Sequence, residues 1–504
     1  MQSVVTAQTT DLPVNFPETL QALEILQAPE SFQRFMEQAV DSDSLEVASL
    51  ATEDWGLICE TPDQTNSRPV VGTATHTSPN SGASQAIAPS NYIRDIPLEL
   101  DVPPTEFLLE GSQRQHLLNE IWGNQFGGWA QIGFTGNPDS SLNTPVLFND
   151  RANQLMMNQL ALFWHHDVAV DGTSWDVGGR LDLWYGTDSR FVTVPGLERH
   201  RDGTRKWNSE TERYGLAMPQ AYVELAAPVA DGLSIKAGHF YSIAGTESIP
   251  APYNFFYSHS YALLYGQPFT HTGALTSYRP NKQITMQLGY TQGWDVWNSE
   301  ASSYGILGQY AITSLDQQTT LATTIHAGQD VTGVVTDVPL VDDRYLLNVV
   351  VAHRISARLQ GVIQGDYGYQ ASGAVIVNPG LGTTSFDSAQ WGGVTSYLLY
   401  QLSPCWNSAL RVEWFNDADQ SRLGIPVVFD PGGDTFQGGN YCAVTAGLNY
   451  LPHNNLIFRP ELRWDWSDLR GNAAVPGGDS SIRAFDNRTS ANQITLGADL
   501  ILSF

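Results

Sequence analysis

From Trp129 to the C-terminus, apolar and polar residues alternate in segments of about ten residues, the length a tilted strand needs to cross a bilayer. Side chains of a strand point alternately to its two faces, so the pattern predicts strands with one apolar and one polar face. In the last segment Ile494, Leu496, Ala498, Leu500, Leu502 and Phe504 share one face, while Thr495, Gly497, Asp499 and Ser503 share the other. In Leu456 to Trp466, Leu456, Phe458, Leu462, Trp464 and Trp466 oppose Arg459, Glu461, Arg463 and Asp465. One such segment would suit a soluble sandwich equally well. A long series ending on an aromatic points instead to a transmembrane β-barrel.

Sixteen segments are predicted, at 127–135, 154–168, 174–186, 216–227, 233–241, 270–278, 283–292, 302–313, 318–327, 344–354, 357–368, 390–402, 406–415, 440–450, 455–466 and 492–504. Seven short connections alternate with eight long ones, which predicts periplasmic turns at one end and external loops at the other. Reading Tyr257 to Gly266 as a further strand would break this alternation, so that stretch is assigned to the third long loop, 242–269. The loop is rich in Pro and aromatics and is expected to fold inward and narrow the barrel, with Glu247, Tyr253, Asn254, Tyr257 and His259 as its constriction residues. The terminal strand is expected to pair with the strand near Trp129 and close the barrel.

The first part of the chain reads differently. Residues 1–60 are acidic and partly helical, with Leu20, Leu23, Leu26 and then Phe32, Phe35 and Met36 at helical spacing either side of Pro29. Residues 61–104 form a Ser/Thr/Pro-rich linker with too few large apolar groups to order itself, and 105–124 is a short helix before the 125–504 barrel.

Charge sharpens this division. Of the formal net charge of −27, residues 1–110 carry −14, from 17 acidic residues against Arg34, Arg68 and Arg94. With no basic stripe to neutralise phosphates, a nucleic-acid partner is excluded. Cys59, Cys405 and Cys442 are odd in number and lack a CxxC, so packing or a free thiol is expected rather than a disulfide framework or a zinc site. The first residues lack the basic and apolar regions of a signal peptide, so a signal is expected to have been removed.

The alternation places Arg180, Asp182, Glu224, Lys236, Arg354, Arg358, Asp366, Arg411, Glu413, Arg459, Glu461, Arg463, Asp465 and Asp499 on the polar, pore-lining face. A charge on the lipid face costs roughly 2 to 4 kcal/mol for Arg near the midplane, so such residues belong inside. Arg411, Glu413, Arg459, Glu461 and Arg463 could form a ladder that sets ion preference, or cross-strand pairs that only satisfy one another. Trp164, Trp175, Tyr185, Tyr290, Trp406, Trp414, Trp464 and Trp466 lie near strand ends, where interface girdles are expected.

Catalytic patterns are weak. His165 and His166 are adjacent on a strand and point apart, so they cannot share a metal. The chain carries no G-x-S-x-G, HExxH, P-loop or dinucleotide motif, and no cofactor is expected. His259, between Ser258 and Ser260, is the one hydrolase lead. The Asp430-Pro431-Gly432-Gly433-Asp434 run departs from an EF-hand loop and is a weak calcium candidate.

Several stretches carry a family likeness: Tyr214-Gly215, Pro219 to Glu224, Lys236 to Phe240, Gly245-Thr246-Glu247, Asn254 to Ser258, Gln267 to Gly273 and Gly293-Trp294-Asp295. Over about 125–504 the chain resembles the putative β-barrel porins described as OmpL-like. The resemblance implies a bacterial outer-membrane channel and brings no catalytic residues with it. The expected function is therefore a porin passing small hydrophilic solutes or ions, with outer-membrane lipid around it and a homotrimer as its possible assembly. The alternatives are a plugged or anchoring barrel and, less favoured, a barrel-borne hydrolase.

Overall fold

The computed structural model describes residues 123–504, apart from 171–173, 201–202, 210–212, 230–231, 299–302, 336–337, 379–382, 420, 424–438, 470–480 and 482. The N-terminal helices, the 61–104 linker and the Asp430–Asp434 loop lie outside the described residues, as does the expected 105–124 helix up to its last two positions. Of these, Asn124 already begins the first strand.

Sixteen antiparallel strands form one closed barrel in which each strand pairs with its sequence neighbours. They are β1 (Asn124–Gly136), β2 (Leu155–His166), β3 (Asp176–Gly186), β4 (Gly215–Ala227), β5 (Leu233–Tyr241), β6 (Thr270–Asn281), β7 (Ile284–Thr291) and β8 (Tyr304–Thr313), followed by β9 (Thr319–Val335), β10 (Val338–Ser356), β11 (Leu359–Asn378), β12 (Thr383–Ser403), β13 (Trp406–Asp417), β14 (Gly439–His453), β15 (Leu456–Ser467) and β16 (Asn492–Ser503). Closure is made by β1 against β16, with Trp129 opposite Ser503 and Gly133 opposite Asp499. Phe504 and Gly128 complete the seam by exchanging backbone hydrogen bonds of 2.8 and 2.9 Å.

The two faces separate as strand geometry requires. On β16, Ile494, Leu496, Leu500, Leu502 and Phe504 are exposed outward, whereas Gln493, Thr495, Asp499 and Ile501 are buried on the inner face. The same outward apolar set runs through Leu162, Val223, Leu288, Ile306, Ile363, Val394 and Leu462. Among the described residues no helix is long and apolar enough to cross a membrane, and the crossing elements here are strands.

Four boundaries differ from expectation by about six residues or more. The stretches 328–343 and 369–389 were expected as long loops, but β9 and β10 continue to Val335 and Val338, and β11 and β12 to Asn378 and Thr383, as two extended hairpins. Backbone pairing continues there beyond the regular apolar alternation on which the expectation relied. Tyr257 to Gly266 is not a strand: a 3-10 turn at Ala251–Tyr253 is followed by a π turn at Ala262–Gly266.

The cysteine expectation also needs correcting. Cys405, in the β12–β13 turn, is disulfide-bonded, while Cys442 is a free thiol.

Candidate functional site: the inner wall and segment 242–269

Segment 242–269, between β5 and β6, makes its polar contacts with inner-face side chains from strands all round the barrel. Both of its legs meet the wall formed by β8, β10 and β11. At the first leg Gly245 N–H donates to Asn348 of β10 (3.1 Å), and Thr246 N–H donates to Gln364 of β11 (2.7 Å). Gln309 of β8 donates to the Ile243 carbonyl at 2.8 Å. On the return leg Gln267 donates to Asp366 (2.7 Å), which also accepts from Asn348 and Gln364.

The middle of the segment meets charges. Arg459 of β15 donates to the Ala251 and Asn254 carbonyls at 2.9 and 2.6 Å while its Nε holds Asp499 at 2.9 Å. Glu461 accepts from Tyr257 N–H and Ser258 N–H at 2.9 and 3.1 Å. Arg411 of β13 reaches Glu247 and the Ser258 carbonyl, both at 2.7 Å, and Glu413 accepts from Tyr261 N–H at 2.6 Å. Arg463 donates to the His259 carbonyl at 2.8 Å and to Asp465, which accepts from the Tyr261 hydroxyl. A backbone carbonyl or N–H withdrawn from water needs a partner, and here charged side chains supply it.

A bulge in β2 supplies a third set of partners. Pairing with β1 slips by one residue between Gln131 and Ile132, so consecutive residues Asn158 and Gln159 are both buried rather than facing opposite sides. Gln159 donates to the Ile249 carbonyl and accepts from Ala251 N–H, and Asn158 accepts from the Tyr257 hydroxyl at 3.2 Å. Both also donate to Asp188, whose carboxyl burial pushes up to about 6 against these hydrogen bonds.

Wall glycines let the aromatic side chains seat. A Cβ on Gly133 would overlap Tyr257, and one on Gly447 would come within 3.0 Å of Phe256. Tyr253 is half-buried beside Trp129, with ring centroids 6.5 Å apart, and Asn254 closes a local turn by bonding both the N–H and the carbonyl of Ser248.

Glu247 sits where these contacts converge. It accepts from Arg411, the Tyr397 hydroxyl and Ser260, and His259 Nδ1 lies 3.7 Å away. Burial pushes its carboxyl up, but Arg411, His259 and the Ser260 N–H outweigh that and hold it below the ordinary carboxylate range. The His259 ring packs edge-on against Phe148 at 4.8 Å, while the hydroxyls of Ser258 and Ser260 engage Arg411 and Glu247. The serine hydroxyls are thus committed to the ion pair. No group of three or more metal-ligating side chains occurs among the described residues.

The remaining sequence-derived positions are spread over the barrel. Arg180 pairs with Asp182 at 2.7 Å, and Asp182 also accepts from Gln220 and Tyr241. Half-buried Glu224 lies opposite Lys236 in the β4–β5 register, with the Lys236 ammonium 4.3 Å from the Tyr222 ring centre. Arg354 is buried on β10. Arg358 is a correction: it is exposed in the turn between β10 and β11, because the strand begins at Leu359 and not at 357. Inward alternation does not extend into a turn.

Residue-by-residue reading missed Asn158, Gln159, Asn348, Gln364 and Tyr397, all uncharged. One signal was available for the first two: the outward apolar series of β2 runs Leu155, Met157 and then Leu160, Leu162, a change of phase that marks a bulge.

A closed barrel with an apolar outer band and a charged inner wall defines an outer-membrane channel barrel. The chain belongs to the family described as Putative beta-barrel porin-2, OmpL-like, whose model matches residues 123–504, and its place is the bacterial outer membrane. No curated protein matches the chain. Among solved structures it is similar to the outer membrane channel DcaP of Acinetobacter baumannii, at 11% identity and TM-score 0.48 over 76% of this chain and 98% of that one. It is also similar to an anion-selective porin from Comamonas acidovorans, at 8% identity and TM-score 0.47 over 76% and 99%. A third is Salmonella typhi OmpF in complex with daunomycin, at 10% identity and TM-score 0.46 over 76% and 98%.

Proposed function

We propose that the protein is a water-filled channel for passive diffusion of small hydrophilic solutes or ions, narrowed by segment 242–269. The observation that carries this reading is the attachment of that one segment to inner-face side chains of β2, β8, β10, β11, β13 and β15. Such a crosspiece reduces the bore to the space beside it. In this reading Arg180, Asp182, Glu224, Lys236, Arg354 and Asp366 line the path, with Glu247 and Tyr253 on the part of the segment left half-buried. The ladder Arg411, Glu413, Arg459, Glu461, Arg463, Asp465 and Asp499 serves mainly to brace the segment, since its members bond to the segment or to one another.

Planar-bilayer recording of the purified chain tests this. Stepwise conductance that rises when Arg459→Ala loosens the crosspiece is expected. Folded barrel with no conductance, where a control porin conducts, would sink it. The near-complete burial of Arg411 and Arg463, each 0% exposed, favours a second reading in which the lumen is plugged and the barrel binds or anchors. That reading predicts silence from the wild type and conductance only from the loosened variant. Sixteen strands is the size for which a homotrimer is expected, and cross-linking in membranes checks it.

A further inference from the structure

The ladder arginines all face carboxylates at short range. Arg422 does not. It lies in the long β13–β14 connection, and its Nε donates to the Tyr265 carbonyl at 2.6 Å. Its guanidinium carbon stands 5.2 Å from the Trp294 ring centre and 4.8 Å from that of Trp391. No carboxylate among the described residues forms an ion pair with it. Asp417, the last residue of β13, is occupied by the backbone N–H groups of Ser421, Arg422 and Leu423 at 3.0, 2.9 and 2.6 Å.

A second arginine shares the same ring. Arg344 of β10 places its guanidinium 5.0 Å from the Trp294 ring centre and donates to Gln370 through Nε and one terminal nitrogen. Its other terminal nitrogen is 3.8 Å from Asp330, a carboxylate that also accepts from Trp294 N–H. Asp295, the other carboxylate nearby, caps the start of β6 by accepting from Phe269 N–H and Thr270 N–H, both at 2.8 Å. Burial pushes Asp295 up to about 6, so it carries less than a full charge near that pH. Burial, with Arg344 adding to it, also pushes the Arg422 guanidinium down to about 10 against the pull of Asp417, Asp295 and Asp330. Two cations thus converge on one indole with less compensation than any arginine of the ladder.

We propose that Arg422 and Arg344, held about Trp294 on the long-loop side of the crosspiece, form a docking site for small oxyanions, a carboxylate or a phosphate, that enter from outside. The planar guanidinium fork matches two oxygens of such a group, and the indole faces hold the fork in place without neutralising it. The inference rests on the channel reading for its consequence, which is that oxyanionic solutes are gathered at the mouth of an otherwise acidic protein. The docking itself does not require conduction.

The test uses the full chain folded in detergent, titrated by calorimetry with inorganic phosphate and separately with acetate, then recorded in planar bilayers in the potassium salts of chloride, phosphate and acetate. Saturable binding of at least one oxyanion is expected, weakened about tenfold by Arg422→Gln and by Arg344→Gln as a charge-assisted bond is lost. Lys282→Gln, exposed in the opposite-end β6–β7 turn, should leave it unchanged. The oxyanion that saturates identifies the source, phosphate or carboxylate. No saturable binding, or binding indifferent to both arginine variants while they still run as folded barrels, overturns the proposal. Arginine-dependent binding without conductance would instead overturn the channel reading and leave the docking site standing.

Discussion

The two walls that hold the crosspiece solve the same problem with different chemistry. On β13, β15 and β16 it is met by Arg411, Glu413, Arg459, Glu461, Arg463, Asp465 and Asp499, a set in which every charge but Glu461 also pairs with another. On β8, β10 and β11 it is met mainly by Gln309, Asn348 and Gln364. An amide both donates and accepts, so one side chain can serve the segment and a wall neighbour without importing charge. A charged wall makes stronger bonds but fails as a unit, because removing one member strands its partner. An amide wall is weaker per contact and more forgiving.

The sharpest way to break this contrast is Arg459→Ala. It removes two carbonyl clamps and leaves Asp499 buried with only Gln131 to serve it. A loss of about 3 to 5 kcal/mol is expected in denaturant unfolding of the folded barrel. A loss below that of an amide variant would refute the distinction.

Next in size is Gly133→Val, which overpacks the seat of Tyr257. A cost of about 1 to 3 kcal/mol is expected, with altered single-channel conductance as the segment shifts. Unchanged conductance would place Tyr257 outside the narrow region. Asn348→Leu on the amide wall should cost less, about 1 kcal/mol for each bond lost, again by unfolding.

The smallest effect is expected from mild acid. Glu247 is held below the ordinary carboxylate range, so the stability its ionisation adds is fully present above that range and is lost only as pH falls through its own lower pKa. Between pH 7 and pH 5 its anchorage to Arg411 should not change. Asp188 and Asp295, raised to about 6, run the other way. Their ionisation burdens the folded form above that pH, and the burden is relieved as pH falls toward the ordinary carboxylate range. A conductance step near pH 6 that Asp188→Asn abolishes would locate its origin where the β3–β4 connection meets Asn158 and Gln159, whereas one abolished by Glu247→Gln would contradict the assignment.

How legible this was in the sequence varied with the physics behind each feature. Strand number and closure were readable because a lipid-facing wall forces regular alternation, as in Ile494 to Phe504 and in Leu456 to Trp466. The charged wall was readable too, since Arg459 or Arg463 facing lipid would be costly. The amide wall was less so: Asn348 and Gln364 on the lipid face would cost an unsatisfied amide and not a buried charge, a weaker signal. Arg358 misled because parity counted into a turn means nothing. Trp294 stood in a family stretch, but its place between Arg344 and Arg422 depends on elements far apart in sequence.

The bulge in β2 gives the strand a change of reading frame. Before it the outward residues are odd-numbered, Leu155 and Met157; after it they are even, Leu160 and Leu162. Deleting either Asn158 or Gln159 would restore a single frame, and the strand would keep its oily outer face while losing one of its two polar hands. The outward hydropathy pattern would look untouched in an alignment. A one-residue gap at this place is therefore a mark by which relatives that hold their crosspiece differently could be told apart.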